Sequence, residues 1–352
     1  MPSTPPAADQ EAPRRTRVVS GGTKIAVRSI PGKGLGIIAT AGIARGELVL
    51  AEEPAIMLSA WQLHSAEQQG VDAQEAMIRR EVDALDDADR REFWGLEDCH
   101  ARGGQKMAFG VWQTNAIATG TGSFDTCNGL YWMGCRFNHS CKPNVNRCWI
   151  ESRGVEAFHA SRDIPRGQEL CIYYIDPKGV FSERQASLKE GFNFTCACEF
   201  CSLTGEAREL SDTLHRDYQD LDSAIAAMVD DPRGALELVE GVLAIIDAEF
   251  DNDPHMLQRA YHDGFQMAAL AGDLKLAKAM MEKAWEAKRL AEGDHEGTEL
   301  LRAYAADVST HPVLSGTRSS TAAPPDSVSQ GPPQELGAKV AAVEAVDLSA
   351  LD

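Results

Sequence analysis

The sequence lacks any apolar run of the ~18 residues that a membrane-spanning helix needs, and its Pro-rich start lacks the apolar core of a secretory signal peptide. Basic residues are also few, because 34 Lys and Arg stand against 53 Asp and Glu, for a formal charge of -19. A surface of this sign repels phosphate and favours basic partners. We therefore expect no membrane partner, no direct nucleic-acid partner and an intracellular protein, in the nucleus, the cytoplasm or both.

The nine cysteines are an odd count, and their spacing fits metal ligation in a reducing compartment better than structural disulfides. Cys196, Cys198 and Cys201 form a C-x-C-x-x-C cluster that favours zinc, which takes four tetrahedral ligands. The alternative is three buried thiols that pack as small apolar groups. It is less favoured because, in a strand, Cys201 would face away from the other two. Spacing alone leaves the fourth ligand open among Cys99, Cys127, Cys135, Cys141, Cys148 and Cys171.

The overall composition, 43% hydrophobic and 25% charged, is typical of a folded protein, although both ends are poor in large apolar residues. Short β-rich pieces with glycine turns alternate with stretches of helical apolar spacing. A helical hairpin that turns at Gly272 and Asp273 has a pattern similar to tetratricopeptide repeats. The predicted segments are a disordered arm over 1–17, a β-rich part over 18–58, a helical insert over 59–120, a second β-rich part over 121–181, a cysteine-bearing segment over 182–204, a helical domain over 205–307 and a disordered tail over 308–352.

Four motifs follow one another along the chain: Pro31–Gly36 (PGKGLG), Asn138–Asn144 (NHSCKPN), Glu169–Asp176 (ELCIYYID) and Cys196–Cys201 (CACEFC). In this order they resemble the SET-domain lysine methyltransferases, over about residues 23–201. The resemblance implies a mainly β SET fold of small curled sheets with a pseudoknot, closed by a post-SET segment over 182–204. The sequence is most similar to the SET and MYND group. The insert holds only Cys99, so the cysteine-rich MYND module is absent.

The resemblance also supplies the fourth zinc ligand, since the cysteine of the Asn-His-Ser-Cys motif, here Cys141, joins the later three in that family. In that family the zinc is structural and locks the post-SET segment over the active site. Its loss is therefore expected to open the cofactor pocket.

By resemblance the chain uses S-adenosylmethionine as methyl donor, held by Lys33, Gly34, Leu35, Cys127, Asn128, Asn138, His139, Tyr174 and Phe194. The glycine loop would line the methionine end of the donor, Asn128 its amino-acid end and Phe194 its adenine. Taken alone, the loop would more often be a turn between strands, and Asn138 with His139 would stabilise a capped turn. His139 is not expected to act as a general base.

Tyr174 is the predicted catalytic residue, because it matches the family tyrosine that orients the lysine amine and the methyl group. The alternative is a tyrosine packed in a strand beside Tyr173. Leu130 and Phe192 are assigned to the substrate channel, where they depart from the family's usual phenylalanine and tyrosine. These departures are expected to alter the number of methyl groups added or to weaken activity.

The predicted function is methylation of lysine side chains in histone tails or other basic proteins. One alternative is a SET-fold interaction module without useful transferase activity, and another is methyl transfer to a non-protein amine. A protein partner at the helical C-terminal region is a further expectation.

Overall fold

The computed structural model describes residues 17–101, 103–120 and 127–315. The expectations for the arm up to residue 16 and for the tail from residue 316 lie outside this part of the chain. Arg17, which we assigned to the disordered arm, is held in place. Its guanidinium lies 3.1 Å from the carboxylate of Asp89 and donates to the carbonyl of Pro54.

The strands build three small sheets. They are Val18–Gly21 (β1), Ile25–Ile30 (β2), Gly34–Ala39 (β3), Leu48–Glu52 (β4), Ile56–Ser59 (β5), Ile117–Thr119 (β6), Cys127–Leu130 (β7), Asn138–His139 (β8), Val145–Ile150 (β9), Val155–Ala160 (β10) and Glu169–Ile172 (β11). The sheets have the strand orders β1-β4-β10-β9, β2-β3-β11-β8 and β5-β7-β6. The small sheets expected from the sequence are therefore present.

Helices fill the insert and the C-terminal part. They are Ala60–Gln69 (α1), Val71–Ala84 (α2), Asp87–Gly95 (α3), Ala108–Asn115 (α4), Phe181–Phe192 (α5), Gly205–Ala227 (α6), Pro232–Phe250 (α7), Pro254–Leu270 (α8), Leu274–Glu292 (α9), Glu296–Ala306 (α10) and Pro312–Ser315 (α11). None of the described helices is both long and apolar enough to cross a membrane. The predicted helical C-terminal region is confirmed.

Local chemistry sets the starts of α7 and α8. In each helix an aspartate, Asp231 or Asp253, accepts a backbone N–H of the first turn, and a proline follows it. The carboxylate satisfies a donor that has no partner within the helix, and proline has no N–H to leave unpaired. These starts fix the residues before α8, where the helical region meets the sheets.

The α8–α9 hairpin turns where the sequence predicted it. Gly272 has a φ of +79°, a conformation that glycine adopts without strain, and Asp273 accepts the backbone N–H of Leu276 at the start of α9. One hairpin does not make a repeat array, so the likeness to tetratricopeptide repeats stays a prediction.

Strand β8 is unusual because it runs parallel to β11, with Cys171 opposite Asn138 and Ile172 opposite His139. Two backbone bonds extend this contact, from Ser140 N to the carbonyl of Ile172 and from Asn144 N to the carbonyl of Cys171. The segment with the Asn-His-Ser-Cys motif is thus held along the strand that leads to Tyr174.

The insert ends differently from the prediction, which was helix through residue 120. Ile117–Thr119 is strand β6 and pairs with β7. Ile117 and Thr119 are buried while Ala118 is exposed, which is the alternation of a strand. Three residues are too few for periodicity to distinguish a strand from a helix.

The tail boundary at residue 308 is also wrong for residues 308–315, which form a 3-10 turn and α11. Val308, Val313 and Leu314 pack on the core of the last helices, and the ring of His311 lies 4.6 Å from that of Phe265. Three apolar residues among Ser, Thr, His and Pro were too sparse a signal for sequence reasoning.

His159 lies on β10 with only 5% of its surface exposed, and its Nδ1 has no partner among the described residues. Burial lowers its pKa from 6.5 to about 4. The folded protein therefore binds fewer protons here than the unfolded chain, and stability falls as the pH drops below 6.5.

We expect His159→Phe to remove this acid sensitivity. Between pH 7.5 and pH 5, the free energy of unfolding should fall by about 2 kcal/mol less in the variant than in wild type. Urea titrations at both pH values would measure this. His64→Gln, at an exposed histidine, is the control. Equal pH dependence in wild type and His159→Phe would contradict the prediction.

Candidate active site

The four predicted zinc ligands converge. The Sγ atoms of Cys141, Cys196, Cys198 and Cys201 all lie within 4.8 Å of one another, and those of Cys141 and Cys201 are 3.6 Å apart. Sulfur atoms bound to one zinc at ~2.3 Å stand ~3.8 Å apart in a tetrahedron. Hydrogen bonds from Cys141, and then from Cys196 and Cys201, lower the pKa of the Cys198 thiol. Spacing and chemistry of this donor set both fit one zinc ion.

Two helices hold the cluster in place. On α5, the Gln185 amide pairs with the Cys196 backbone, with Nε2 2.8 Å from its carbonyl and Oε1 3.0 Å from its N–H. On α6, Arg208 donates to the carbonyl of Cys201 at 2.9 Å. The cysteines therefore join the post-SET segment to the motif that contains Cys141.

A second group of ligating side chains, Cys148, Glu292 and His295, lies between β9 and the loop after α9. His295 Nδ1 accepts the N–H of Gly297, so its proton lies on Nε2, which faces Glu292 at 2.9 Å. Lys288 also neutralises Glu292, at 2.7 Å. His295 keeps its proton on Nε2, and the charge of Glu292 is balanced by Lys288. We therefore assign this group to packing of the helical region on the sheet and not to a metal ion.

Tyr174 lies just after β11 and is fixed at two atoms. Its hydroxyl donates to the carbonyl of Phe137 at 2.7 Å, and its backbone N–H donates to Nδ1 of His139 at 3.0 Å. Burial raises the pKa of the Tyr174 phenol, so the hydroxyl is neutral at ordinary pH. The donated proton leaves the oxygen lone pairs as the only groups that Tyr174 can offer a ligand.

His139 links Tyr174 to the cysteine cluster. Because Nδ1 accepts from Tyr174, the proton of the neutral ring lies on Nε2, which is 3.3 Å from Sγ of Cys141. Burial lowers the pKa of His139 to about 4. Both ring nitrogens are engaged, which agrees with the expectation that His139 is no general base.

An inner cavity of about 180 Å³ lies against Tyr174. Its walls include Asn128, Cys135, Phe137 and Phe192, and the Phe192 ring centroid is 4.9 Å from that of Tyr174. The walls combine apolar side chains with polar ones such as Asn128 and Arg147, and the size of the cavity suits an alkylamine side chain.

A larger outer cleft of about 340 Å³ opens between the SET-like part and helices α6 to α8. Its walls share Arg147, Tyr173 and Tyr174 with the inner cavity. The remaining walls include Ile175, Tyr218 and Met256. A chain lying in the outer cleft could therefore direct one side chain toward Tyr174.

The glycine loop lies on the second sheet. Lys33 Nζ is 2.7 Å from the carboxylate of Glu169, whose other oxygen accepts from Asn138 Nδ2 at 2.8 Å. Leu35 is 49% exposed. Gly34 begins β3 with a φ of +74°. The structure thus brings the loop and Asn138 together.

Two further predicted cofactor residues lie elsewhere around Tyr174. The Phe194 ring is 6.0 Å from that of His139, on the side of the cysteine cluster. Cys127 precedes Asn128 on β7 and stands opposite Ser59 and Thr119.

Leu130 is a correction. It is fully buried in the core of the insert, with residues such as Ile78 and Trp112, and it does not line the inner cavity. Strand β7 ends at Leu130, and its side chain packs under the helices of the insert. The substrate-channel role predicted for it is therefore wrong.

Sequence reasoning missed Cys135, Phe137 and Arg147 in the cavity wall, and Glu169 beside the glycine loop. Glu169 and Arg147 carried a weak signal, since each is a charged residue in an otherwise largely uncharged strand. Cys135 and the Phe137 carbonyl carried none, because their position depends on how the chain turns after β7.

Comparison with known proteins finds similarity to SET-domain proteins. Residues 34–175 match the SET domain family. Histone-lysine N-methyltransferase set5 of Schizosaccharomyces pombe is 29% identical over 82% of this chain and 85% of its own length.

Shorter matches cover the motif region. Protein-lysine N-trimethyltransferase SMYD5 of Mus musculus is 34% identical over 24% of this chain and 22% of its own length. A SET and MYND domain-containing protein of Dictyostelium discoideum is 38% identical over 21% of this chain and 14% of its own. The chain thus spans less than a quarter of these two relatives.

A solved structure, the SET domain of LSMT bound to lysine and AdoHcy, covers 84% of this chain and 89% of its own at 12% identity. Its TM-score of 0.37 is too low to support an argument about this fold. The family match over 34–175 and the long match to the Schizosaccharomyces pombe protein together show that residues 34–175 of this chain are similar to the SET domain.

Proposed function

We propose that this chain is an S-adenosylmethionine-dependent protein-lysine N-methyltransferase that acts on histones or other basic proteins in the nucleus or cytoplasm. The observation that carries the proposal is Tyr174, which has a fixed hydroxyl and lines both the inner cavity and the outer cleft. The SET-domain relatives, named as histone- or protein-lysine methyltransferases, support it.

Of the predicted donor-binding residues, Asn128 lines the inner cavity with Tyr174, and His139 accepts the backbone N–H of Tyr174. Asn138 shares Glu169 with Lys33 of the glycine loop. S-adenosylmethionine would be held by the glycine loop, Asn128, Asn138, His139 and Phe194, and would supply an electrophilic methyl group on sulfur. Zinc on the four cysteines would hold the post-SET residues, including Phe194, near His139. This is a structural role and does not polarise the substrate.

Tyr174 orients the incoming amine. Since its proton is donated to Phe137, the hydroxyl oxygen can only accept, and a lysine N–H is the donor that the cavity would bring to it. Fixing the amine in this way points its lone pair along the length of the cavity. Alignment of two reactants accounts for much of the rate in such displacements.

The amine must also lose its proton, and neither His139 nor Tyr174 is available as a base. Transfer from water into an apolar cavity disfavours the ammonium form and lowers the lysine pKa from ~10.4. Phe192 and Phe137 supply that environment, and their faces also suit a methylated ammonium product.

The Lys and Arg side chains of the outer cleft are all ion-paired, which leaves the cleft open to a basic chain. Its four Lys and Arg residues are already held by six carboxylates: Lys142 by Asp251 and Glu199, Arg147 by Glu156, Lys178 by Asp176, and Arg259 by Asp222 and Asp263. Asp253 adds another carboxyl group to the wall. The positive charge of the cleft wall is therefore largely neutralised where a histone tail would lie.

The test is transfer of labelled methyl groups from S-adenosylmethionine to core histones and to a soluble cell extract, with modified residues located by mass spectrometry. Label on lysine that is lost in Tyr174→Phe is the expected result. Donor binding without transfer to any protein would favour an interaction module. Transfer to small amines alone would favour a non-protein substrate.

Phe192 lacks the hydroxyl that the SET and MYND group usually has there, and it is the departure that keeps the interaction-module alternative open. We expect Phe192→Tyr to lower the share of di- and trimethylated product about threefold, because a new hydroxyl beside Tyr174 would hydrogen-bond the amine and restrict its rotation. Mass analysis of methylated peptides measures the shares. Phe192→Leu, which adds no hydroxyl, is the control, and an unchanged distribution in Phe192→Tyr would refute the expectation.

A further inference from the structure

Glu169 joins two predicted donor-binding residues that come from distant parts of the chain. One carboxylate oxygen lies 2.7 Å from Lys33 Nζ and the other accepts from Asn138 Nδ2 at 2.8 Å. The Glu169 side chain is 19% exposed. One acidic group thus holds a cation and an amide at fixed separation.

The contact extends to the glycine loop itself. Asn138 Nδ2 also donates to the carbonyl of Leu35 at 3.3 Å. A Cβ on Gly36 would stand 2.5 Å from Asn138 Nδ2 and 3.0 Å from Glu169 Oε1. Only glycine leaves room for this approach, so the loop backbone can lie directly beside the Glu169 carboxylate.

The backbone of Glu169 is held independently of its side chain. Glu169 stands opposite Ile38 in the pairing of β11 with β3. Its carbonyl accepts from Asn144 Nδ2 at 2.9 Å, and the Oδ1 of Asn144 accepts the N–H of Cys171 at 2.8 Å. The carboxylate is therefore presented from a rigid position, as positioning requires.

The pairing also keeps Lys33 charged. Burial acts to lower the Lys33 pKa, but the hydrogen bond to Glu169 and the nearby negative groups outweigh it and raise the pKa above 10.5. A fixed ammonium is suited to a carboxylate, such as the one at the methionine end of the proposed donor.

We propose that Glu169 is a positioning residue for the methyl donor: it orients Lys33 and Asn138 so that together they receive the donor's amino-acid end. This inference rests on the proposed function. It assigns Glu169 to donor affinity and not to the chemical step, since Glu169 does not line the inner cavity at Tyr174.

The competing interpretation is an ordinary ion pair, which contributes little at a protein surface. Lys24 and Glu47 form such a pair at 2.6 Å, away from the site, and their side chains are 42% and 32% exposed. Glu47→Gln is therefore a matched control for Glu169→Gln.

The experiment measures the dissociation constant of S-adenosylhomocysteine by calorimetry for wild type, Glu169→Gln, Glu169→Ala and Glu47→Gln. We expect binding to weaken about tenfold in Glu169→Gln and about 50-fold in Glu169→Ala, and to stay unchanged in Glu47→Gln. The KM for S-adenosylmethionine should rise in parallel, while kcat at saturating donor stays within about threefold of wild type. Lys33→Gln removes the ammonium itself and should weaken binding at least as much as Glu169→Gln.

The outcomes separate the two proposals. A wild-type protein that binds neither donor nor product would overturn the proposed function and this inference with it. Wild-type binding with equal affinity in Glu169→Gln would overturn the inference alone. So would a lower kcat at unchanged KM, or a loss of affinity that follows a fall in unfolding midpoint. Glu169→Gln, which keeps the shape of the side chain, keeps the idea testable should Glu169→Ala not fold.

Discussion

Tyr174→Phe should reduce kcat for methyl transfer about 100-fold, or ~2.7 kcal/mol, and leave donor affinity within about twofold of wild type. The variant keeps the ring that packs on Phe192 and the backbone bond to His139, but it loses the oxygen that orients the amine. It also leaves the Phe137 carbonyl without its donor, at a cost of about 1 kcal/mol in folding stability.

Single-turnover transfer with labelled donor measures the chemical step, and calorimetry with S-adenosylhomocysteine measures binding. Tyr261→Phe, on α8 and outside both cavities, is the control for loss of a phenol hydroxyl. Transfer at the wild-type rate in Tyr174→Phe would remove Tyr174 from its assigned role. A parallel loss of donor binding would show that the residue shapes the donor site instead.

Cys201→Ala should lower the affinity for zinc more than about 100-fold and abolish transfer under the same conditions. The reason is a short path of contacts: Cys201 faces Cys141, Cys141 faces His139, and His139 holds the backbone of Tyr174. Loss of the ion would release Cys141 and so loosen Tyr174, besides freeing the residues that follow α5.

Metal analysis of purified protein should find about one zinc per chain in wild type and a small fraction of that in Cys201→Ala. Cys148→Ala, in the group formed with Glu292 and His295, should retain about one zinc. Two zinc ions per wild-type chain, with one lost in Cys148→Ala, would contradict the assignment of that group to packing. Full activity after chelation that strips the metal would contradict the link between zinc and Tyr174.

Much of the site could be predicted because its residues carry chemistry at fixed spacing. The triad Cys196, Cys198 and Cys201 indicated a metal before any fold was known, whereas Cys141 came only through the family resemblance. The structure brings all four together. Tyr174 followed in the same way from the strand motif that contains it.

The errors have a common physical origin in tertiary packing. Leu130 was assigned to the substrate channel by counting residues from Asn128, but its side chain packs in the core of the insert. Ile117 and the segment 308–315 gave too few apolar residues for periodicity to register. Glu169 could not be assigned because its partner Lys33 lies 136 positions away in sequence.

The same separation bears on how the protein is made. Strand β3 is synthesised early, yet its partner β11 and the carboxylate that meets Lys33 emerge from the ribosome more than a hundred residues later. Contacts this distant are slow to form, and an unpaired strand edge invites aggregation in the meantime. A nascent chain that stops before β11 would therefore expose that edge and lack Glu169, and we expect such a chain to bind chaperones.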